Sequence, residues 1–340
     1  TYSPITTKNT SWKSRESNGN WVHIKRYRWF GGNLFNKLEN YPILDFLYLT
    51  PYLFIRSLFF MIFNARSINV IHAQGLNAGI IGIALKVIFR KRLLISLHSI
   101  YSNIDRNKFN CRMTRLILNS ADMVLGMSKA VNNQFVHLGI KENQIKEYRY
   151  WVDIERFKPM SLKEARHQIG IDDCFTVIFV GRLITTKGIK LLVDVARDLK
   201  QIQFLFIGTG PLGSFLKNAS LKNSNILFRG QIENPELPVY YNSADLFCIP
   251  SQYKEGLGRV AMESVSCGIP VVGSNLGGIS EAVNSTVSIL VKPTHDNLKR
   301  VILMLYKDND QLQSLKSNCR EYAVMNYSKK SLDLITKHYV

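Results

Sequence analysis

The sequence predicts an α/β protein of two domains, each built on a parallel β-sheet wound with helices. Three observations carry this reading. At 340 residues the chain is too long for one ordinary hydrophobic core. Short apolar runs of strand length, among them residues 93–97, 123–127 and 176–180, alternate with longer helical stretches. That alternation is the pattern of βαβ units, which pair their strands in parallel. Apolar residues make up 46% and charged residues 20%, the balance of a chain that folds rather than staying disordered.

Charge narrows the partners. The net charge is +19, unevenly spread: residues 1–155 carry 21 Lys/Arg against 9 Asp/Glu, and residues 156–340 carry 23 against 16. An excess on the first half points to an anionic surface or polymer, meaning membrane, lipid-linked phosphate or nucleic acid. Nucleic acid is the weakest of these, since no zinc-finger, helix-turn-helix or RNA-binding signature is present. Cys111, Cys174, Cys248, Cys267 and Cys319 are scattered and never form a C-x-x-C pair, which argues against a disulfide scaffold or zinc site and fits a reducing compartment.

Thr1-Tyr2-Ser3-Pro4 reads as the end of a strand. Residues 21–24 alternate like a strand, and Lys25-Arg26-Tyr27-Arg28-Trp29-Phe30 interleaves bases with aromatics. Residues 41–63 are nearly all apolar and long enough to weigh as a membrane span. Asp45, Pro51 and Arg56 interrupt them, and charges are costly at the bilayer centre. A buried helix, or an aromatic face resting on a membrane beside the basic cluster, is expected instead. Residues 69–72 form a buried strand and 78–89 an apolar helix before Arg90-Lys91-Arg92. The strand at 93–97 delivers His98 to its C-terminal end, the side that faces the ligand crevice in open α/β sheets; a hydrogen-bonded structural histidine is the alternative. Residues 123–127 are a third strand, with Ser128 as N-cap of the helix that follows.

The second half opens with the strand 176–180, then Gly181-Arg182-Leu183 and Lys187-Gly188. Arg182 and Lys187 can converge on a diphosphate as a fork and a point charge, although two solvated bases in a loop would read the same. The strand 204–207 precedes Gly208-Thr209-Gly210-Pro211-Leu212-Gly213, formally a G-x-G-x-x-G, with Glu233 near the spacing of a ribose-binding acid. A nicotinamide-dependent oxidoreductase is therefore a rival reading. Against it, Pro211 is foreign to that fingerprint and the loop follows a middle strand of its domain. Residues 226–232 are a strand and turn ending in Gln231-Ile232, and residues 240–245 lead into the strand 246–250.

Residues 253–281 concentrate the chemistry. Glu255 precedes Gly256-Leu257-Gly258, and Glu263 stands eight positions after the first carboxylate. A helix starting near Arg259 is expected to bury Val260, Ala261 and Val265 and to stop at Cys267-Gly268 before Pro270. The glycines let backbone N–H groups approach a ligand, and the helix N-terminus suits a phosphate. Glu255 and Glu263 could then hold hydroxyls at opposite ends of one polyol; a capped helix with two incidental acids is the bland alternative. Beyond Glu281 a strand is expected at 288–291 and helices at 296–306 and 310–326. Asp308-Asn309-Asp310, formally a D-x-D, lies between them and reads as a loop.

The combination of EGLGRVAMES, CGIPVV and Gly277-Gly278-x-x-Glu281 resembles the donor site of family 4 (group 1) retaining glycosyltransferases, which have the GT-B fold of two Rossmann-like β/α/β domains facing each other across a cleft. GRLITTKG resembles the family's phosphate-binding loop, Gly208-Thr209-Gly210-Pro211-Leu212 its glycine loop, and YRYWVDIERFKP its interdomain segment. The resemblance covers about residues 69–339. It departs at Tyr150-Trp151, where Asn-Gly is usual, and at Arg259, where an aliphatic residue is usual.

The resemblance implies an acceptor-side domain at 1–155 and a nucleotide-sugar domain at 156–340, with the last helix, about 331–340, packing back on the first. It also leads us to expect about one βα unit ahead of Thr1. It implies that Arg182 and Lys187 neutralise the donor diphosphate in place of a metal, that Gly208 and the backbone at Gln231 and Ile232 line the nucleotide, and that Glu263 grips the ribose. Glu255 with Gly256, Leu257 and Gly258 would hold the sugar, Arg259 and Val260 would begin the helix at the phosphate, and His98 would face the sugar from the first domain. The donor is then expected to be a nucleotide-diphospho-sugar with no separate cofactor, and the basic, aromatic first half points to a lipid-linked or polysaccharide glycan at the cytoplasmic face of a membrane as acceptor. A GT-B sugar-nucleotide epimerase is the nearest alternative.

Overall fold

A computed structural model describes residues 2–4, 15–17, 23–25, 27–29, 42–97, 108–148, 150–328 and 339. Two compact units divide the chain, Thr1–Arg92 and Leu93–Val340. The interdomain boundary expected near 155 falls inside the second unit, between its two sheets. His98 and the helix expected at 331–340 lie outside the described residues.

In the first unit, β1 (Tyr2–Pro4) pairs in parallel with β4 (Tyr27–Trp29), and β2 (Arg15–Ser17) pairs antiparallel with β3 (His23–Lys25). The apolar stretch forms α1 (Pro42–Asn64), followed by β5 (Val70–Gln74) and α2 (Leu76–Phe89). Met61 of α1 packs with Ile81 and Leu85 of α2, with Leu53, Phe54 and Leu58 around them. The opposite side of α1 is uncovered: Leu44, Leu47, Ile55, Phe59, Ile62 and Phe63 are exposed. Among the described residues no helix is long and apolar enough to cross a membrane.

The second unit begins with β6 (Arg92–Leu97), β7 (Met123–Gly126) and β8 (Ile145–Glu147), paired in parallel, with α3 (Lys108–Asn119) and α4 (Lys129–His137) between them. Ser128 is the N-cap of α4, its Oγ accepting from the Val131 N–H at 3.2 Å.

Then comes a six-stranded parallel sheet of β9 (Thr176–Val180), β10 (Gln203–Ile207), β11 (Ile226–Gly230), β12 (Leu246–Ile249), β13 (Val271–Ser274) and β14 (Ser288–Val291). Their spatial order is β11-β10-β9-β12-β13-β14. Side chains alternate across a strand, and here both directions are covered. Ile178, Leu205, Phe247 and Val271 face one core and Val177, Phe204, Leu246 and Val272 the other. Helices supply the lids: α9 (Arg259–Ser266) and the end of α12 (Asn309–Tyr327) on the first face, α6 (Ile189–Asp198) and α11 (His295–Lys307) on the second. A strand enclosed on both faces must read as a continuous apolar run, and these do.

One charged cluster is built into this packing. Arg166, on α5 (Leu162–Ile169), is 5% exposed and pairs with Asp245 at 2.7 Å, while Asp245 also accepts from Lys316 at 2.9 Å and from the Thr176 N–H at 2.9 Å. It thus ties the entry of β12 to the start of β9, the pair at the sheet's centre. Asp245→Ala leaves buried Arg166 with only the exposed Asp173, 2.5 Å from Nη1, as countercharge and is expected to cost about 3 kcal/mol in denaturant unfolding; a loss under about 1 kcal/mol would mean the cluster is peripheral to folding.

Candidate functional site at the sheet switch point

Strand order reverses between β9 and β12, so the loops leaving their C-terminal ends diverge and open a crevice there. The loop after β9 carries Arg182 and Lys187; the loop after β12 carries Ser251, Tyr253 and Glu255. The first is fixed by the Leu183 N–H donating to Thr209 O at 2.8 Å and by a turn of 3₁₀ helix at Thr185–Lys187. Across the crevice Lys187 Nζ meets Glu255 Oε1 at 2.5 Å, both side chains nearly buried. The Ser251 hydroxyl donates to the same carboxylate oxygen, and the Tyr253 hydroxyl donates to Oε2 at 3.0 Å. The Arg182 guanidinium acts on the Tyr253 hydroxyl and pulls its pKa down, and Lys187 stands over the Tyr253 ring, 5.3 Å from its centre. Burial, and then the Glu255 charge, push the Tyr253 phenol far above its ordinary value, so it stays a donor.

The second carboxylate lies on α9, which begins after Gly258 at φ 77°. That backbone favours glycine and turns the loop into the helix. Ala261 and Val265 are buried as expected, Met262 joins them, and Val260 is half-buried instead, with Leu257 beside it at the core edge. Glu263 is only 3% exposed. Its Oε2 accepts from the Tyr241 hydroxyl at 3.0 Å, and its Oε1 pairs with Arg259 Nε at 3.1 Å. Burial raises the Glu263 carboxyl above the ordinary range, opposed by the Arg259 charge and the two hydrogen bonds. Arg259 also lies over the Tyr150 ring at 5.3 Å, with Nη1 3.4 Å from its hydroxyl. The two places where the chain leaves the resembling pattern, Tyr150 and Arg259, therefore touch each other.

Gly208, Gln231 and Ile232 follow β10 and β11 at the same end of the sheet. The Gly208 N–H is engaged with Gly230 O at 2.7 Å, and a Cβ at Gly208 would fall 1.8 Å from Gly181 O. Gly208 thus serves by letting two loops touch. Gln231 is exposed, and Ile232 rests against the core. Leu212 N–H and Gly213 N–H of the same glycine loop are also engaged, by Leu183 O at 2.9 Å and Gly210 O at 3.0 Å. Asp308 caps α12 by accepting from the Gln311 N–H at 2.9 Å, and Asn309 and Asp310 already belong to that helix, so the loop expected at 308–310 is a single capping residue. Tyr150, Tyr241, Ser251 and Tyr253 were not foreseen from the sequence. The only signal was chemical: a buried carboxylate needs hydroxyl or cationic donors, and Ser251 and Tyr253 flank Glu255 closely in the chain.

Comparison with known proteins supplies a family and a fold. Residues 162–323 match the family described as glycosyl transferases group 1. An uncharacterized 41.2 kDa protein in the cps region of Klebsiella pneumoniae is 25% identical over 293 residues, 82% of this chain and 81% of that protein. The fold is similar to that of sucrose-phosphate synthase from Thermosynechococcus elongatus (TM-score 0.82, 23% identity, 99% of this chain and 87% of that one). It is also similar to Anabaena HepE in complex with UDP (TM-score 0.75, 22% identity, 92% and 85%). Parallel sheets with this order and these neighbours define a GT-B protein. Residues 162–323 carry the signature of a group 1 glycosyltransferase domain.

The state of Glu263 can be read from stability. A carboxyl with a raised folded-state pKa binds its proton more tightly folded than unfolded, so stability is lost as pH rises from the ordinary carboxylate range through the raised value. Glu263→Gln removes that loss while leaving Tyr241 an acceptor. The melting temperature of the variant relative to wild type should therefore climb between about pH 4 and pH 7. A difference independent of pH would show that Glu263 is not strained by burial.

Proposed function

We propose that the protein moves a sugar, with retention of configuration, from a nucleotide-diphospho-sugar to a lipid-linked or polysaccharide glycan at the cytoplasmic face of a membrane, without a metal. The observation that carries this is the meeting of Lys187 and Glu255 at the switch point: a cation for the diphosphate and an acid for the sugar in one crevice. An ammonium has three donors; one goes to Glu255, which leaves two for phosphate oxygens. Arg182, on the same loop, adds a second cation, and the Gly258 end of α9 adds helix N–H groups. Fixed positive charge at the leaving diphosphate stabilises the charge that develops as the glycosidic bond breaks, the role a metal plays elsewhere.

Glu255 and the Gly256–Gly258 backbone hold the sugar hydroxyls. Glu263 takes the ribose once Arg259 swings from its carboxylate towards the phosphate, an exchange its half-exposed side chain allows. His98 is assigned to the sugar from the first domain on the resemblance. HepE was solved with UDP and UDP-glucose, which supports a nucleotide sugar as donor here.

Arg182→Ala and Lys187→Ala are each expected to weaken binding of the matching nucleoside diphosphate, chosen from UDP, GDP and ADP by thermal shift, by about 1.5–3 kcal/mol. Unchanged affinity removes them from the site. With labelled nucleotide sugar, label should reach an acceptor and persist in excess EDTA; a new sugar nucleotide would make the protein an epimerase, and loss of activity in EDTA would contradict the metal-free assignment.

The membrane assignment rests on the first unit. Ile55, Phe59, Ile62 and Phe63 leave an apolar stripe on α1, with Val87 and Ile88 exposed on α2 and exposed Arg56, Arg66, Arg90 and Arg92 in the same unit. Apolar area plus cationic side chains binds anionic lipid surfaces. The protein should sediment with phosphatidylglycerol-containing vesicles more than with phosphatidylcholine alone, release in high salt, and bind less as Phe59→Ser/Phe63→Ser. Equal binding to both vesicles would contradict it.

A further inference from the structure

Glu281 ends the Gly277-Gly278-x-x-Glu motif, yet it takes no part in the donor contacts above. Its carboxylate instead accepts from the first two amides of α4, Lys129 N–H at 2.6 Å and Ala130 N–H at 2.7 Å, about 150 residues away in the chain. Those amides have no partner inside their own helix. A second tie runs alongside: the Ser128 hydroxyl donates to the Gly256 carbonyl at 2.7 Å while accepting from its own helix.

The two ties converge on one loop. Glu281 belongs to the short helix α10 (Ile279–Ala282), and the turn before it lies against the Glu255 backbone, with Gly278 N–H donating to Glu255 O at 2.8 Å. Both glycines are required for that approach. A Cβ at Gly277 would stand 2.4 Å from Glu255 O and one at Gly278 2.0 Å from Gly256 O, and Gly277 has φ 64°. The β7–α4 turn thus grips residues 255–256 twice: directly through Ser128, and through Glu281 and the glycine turn.

We infer that Glu281 and Ser128 are positioning residues that lock the Glu255–Gly258 loop to the β7–α4 unit, so that the sugar-holding loop is set from the N-terminal sheet of the same compact unit. Its catalytic consequence rests on the proposed transferase reading; the lock itself does not.

Amide hydrogen exchange of the ligand-free protein separates the two. Glu281→Ala should speed exchange at Lys129 and Ala130 and also, about ten-fold, at the Gly256–Gly258 amides. Glu281→Gln, which keeps one acceptor oxygen, should fall between. Lys129→Pro deletes one of the two donors at the first helical position, where proline is well tolerated. It should loosen the same loop, and adding Glu281→Ala should then have less effect than on wild type. In the transfer assay Glu281→Ala should lower kcat about ten-fold and weaken UDP by a smaller factor, because Arg182 and Lys187 sit on the other loop and only the Gly258 end of α9 is loosened. Unaltered exchange at residues 256–258, additive effects of Glu281→Ala and Lys129→Pro, or a loss confined to UDP affinity would each overturn the lock. If no transfer is detected with any donor, the exchange result still decides it.

Discussion

Lys187 and Glu255 are 68 residues apart in the chain and 2.5 Å apart in space. Burying opposite charges together is costly unless every remaining donor and acceptor is met. Here Ser251 and Tyr253 complete the carboxylate, and the ammonium keeps donors to spare. On the proposed reading the contact is a prepared binding surface rather than a stabilising ion pair. It holds the β9 and β12 loops together.

The rest of the second unit serves that contact. β9 and β12 are neighbours, but their loops leave in opposite directions, because β10 and β11 extend the sheet one way and β13 and β14 the other. The Arg166–Asp245–Lys316 cluster pins the starts of the two central strands, and two apolar layers hold their faces. The glycines act where backbones must touch, Gly208 against Gly181 and the 277–278 turn against 255–256. A loop built this way has little freedom to drift, which suits a site whose acid must stay beside its base.

Much of this was legible in the sequence. Residues 176–180 and 288–291 are strands at the expected bounds, because a doubly covered strand is an uninterrupted apolar run closed by polar or glycine punctuation. The helix from Arg259 stops at Cys267 because Gly268 takes φ 83°, as its place before Pro270 suggested. The long apolar stretch is a helix with one packed and one open side. What sequence could not supply was pairing. Nothing in the spacing of Glu263 reveals Tyr241, 22 residues earlier, as its donor, whereas Arg259, one helical turn before it, stands at the i,i+4 spacing of an ion pair. Tyr150 and Arg259 each read as an isolated departure, and only the fold shows them stacked. Val260 was assigned to the core because it is aliphatic, but its helix places Ala261, Met262 and Val265 there instead.

The central claim is that the crevice between the β9 and β12 loops holds a pyrophosphate on Lys187 and a sugar on Glu255. A crystal soaked in turn with UDP, GDP and ADP tests it most directly. The account predicts phosphate oxygens within about 2.7–2.9 Å of Lys187 Nζ, with the ribose towards α9 and Arg259 moved off Glu263. A nucleotide bound elsewhere, with the Lys187–Glu255 and Arg259–Glu263 contacts undisturbed and the crevice empty, would contradict it.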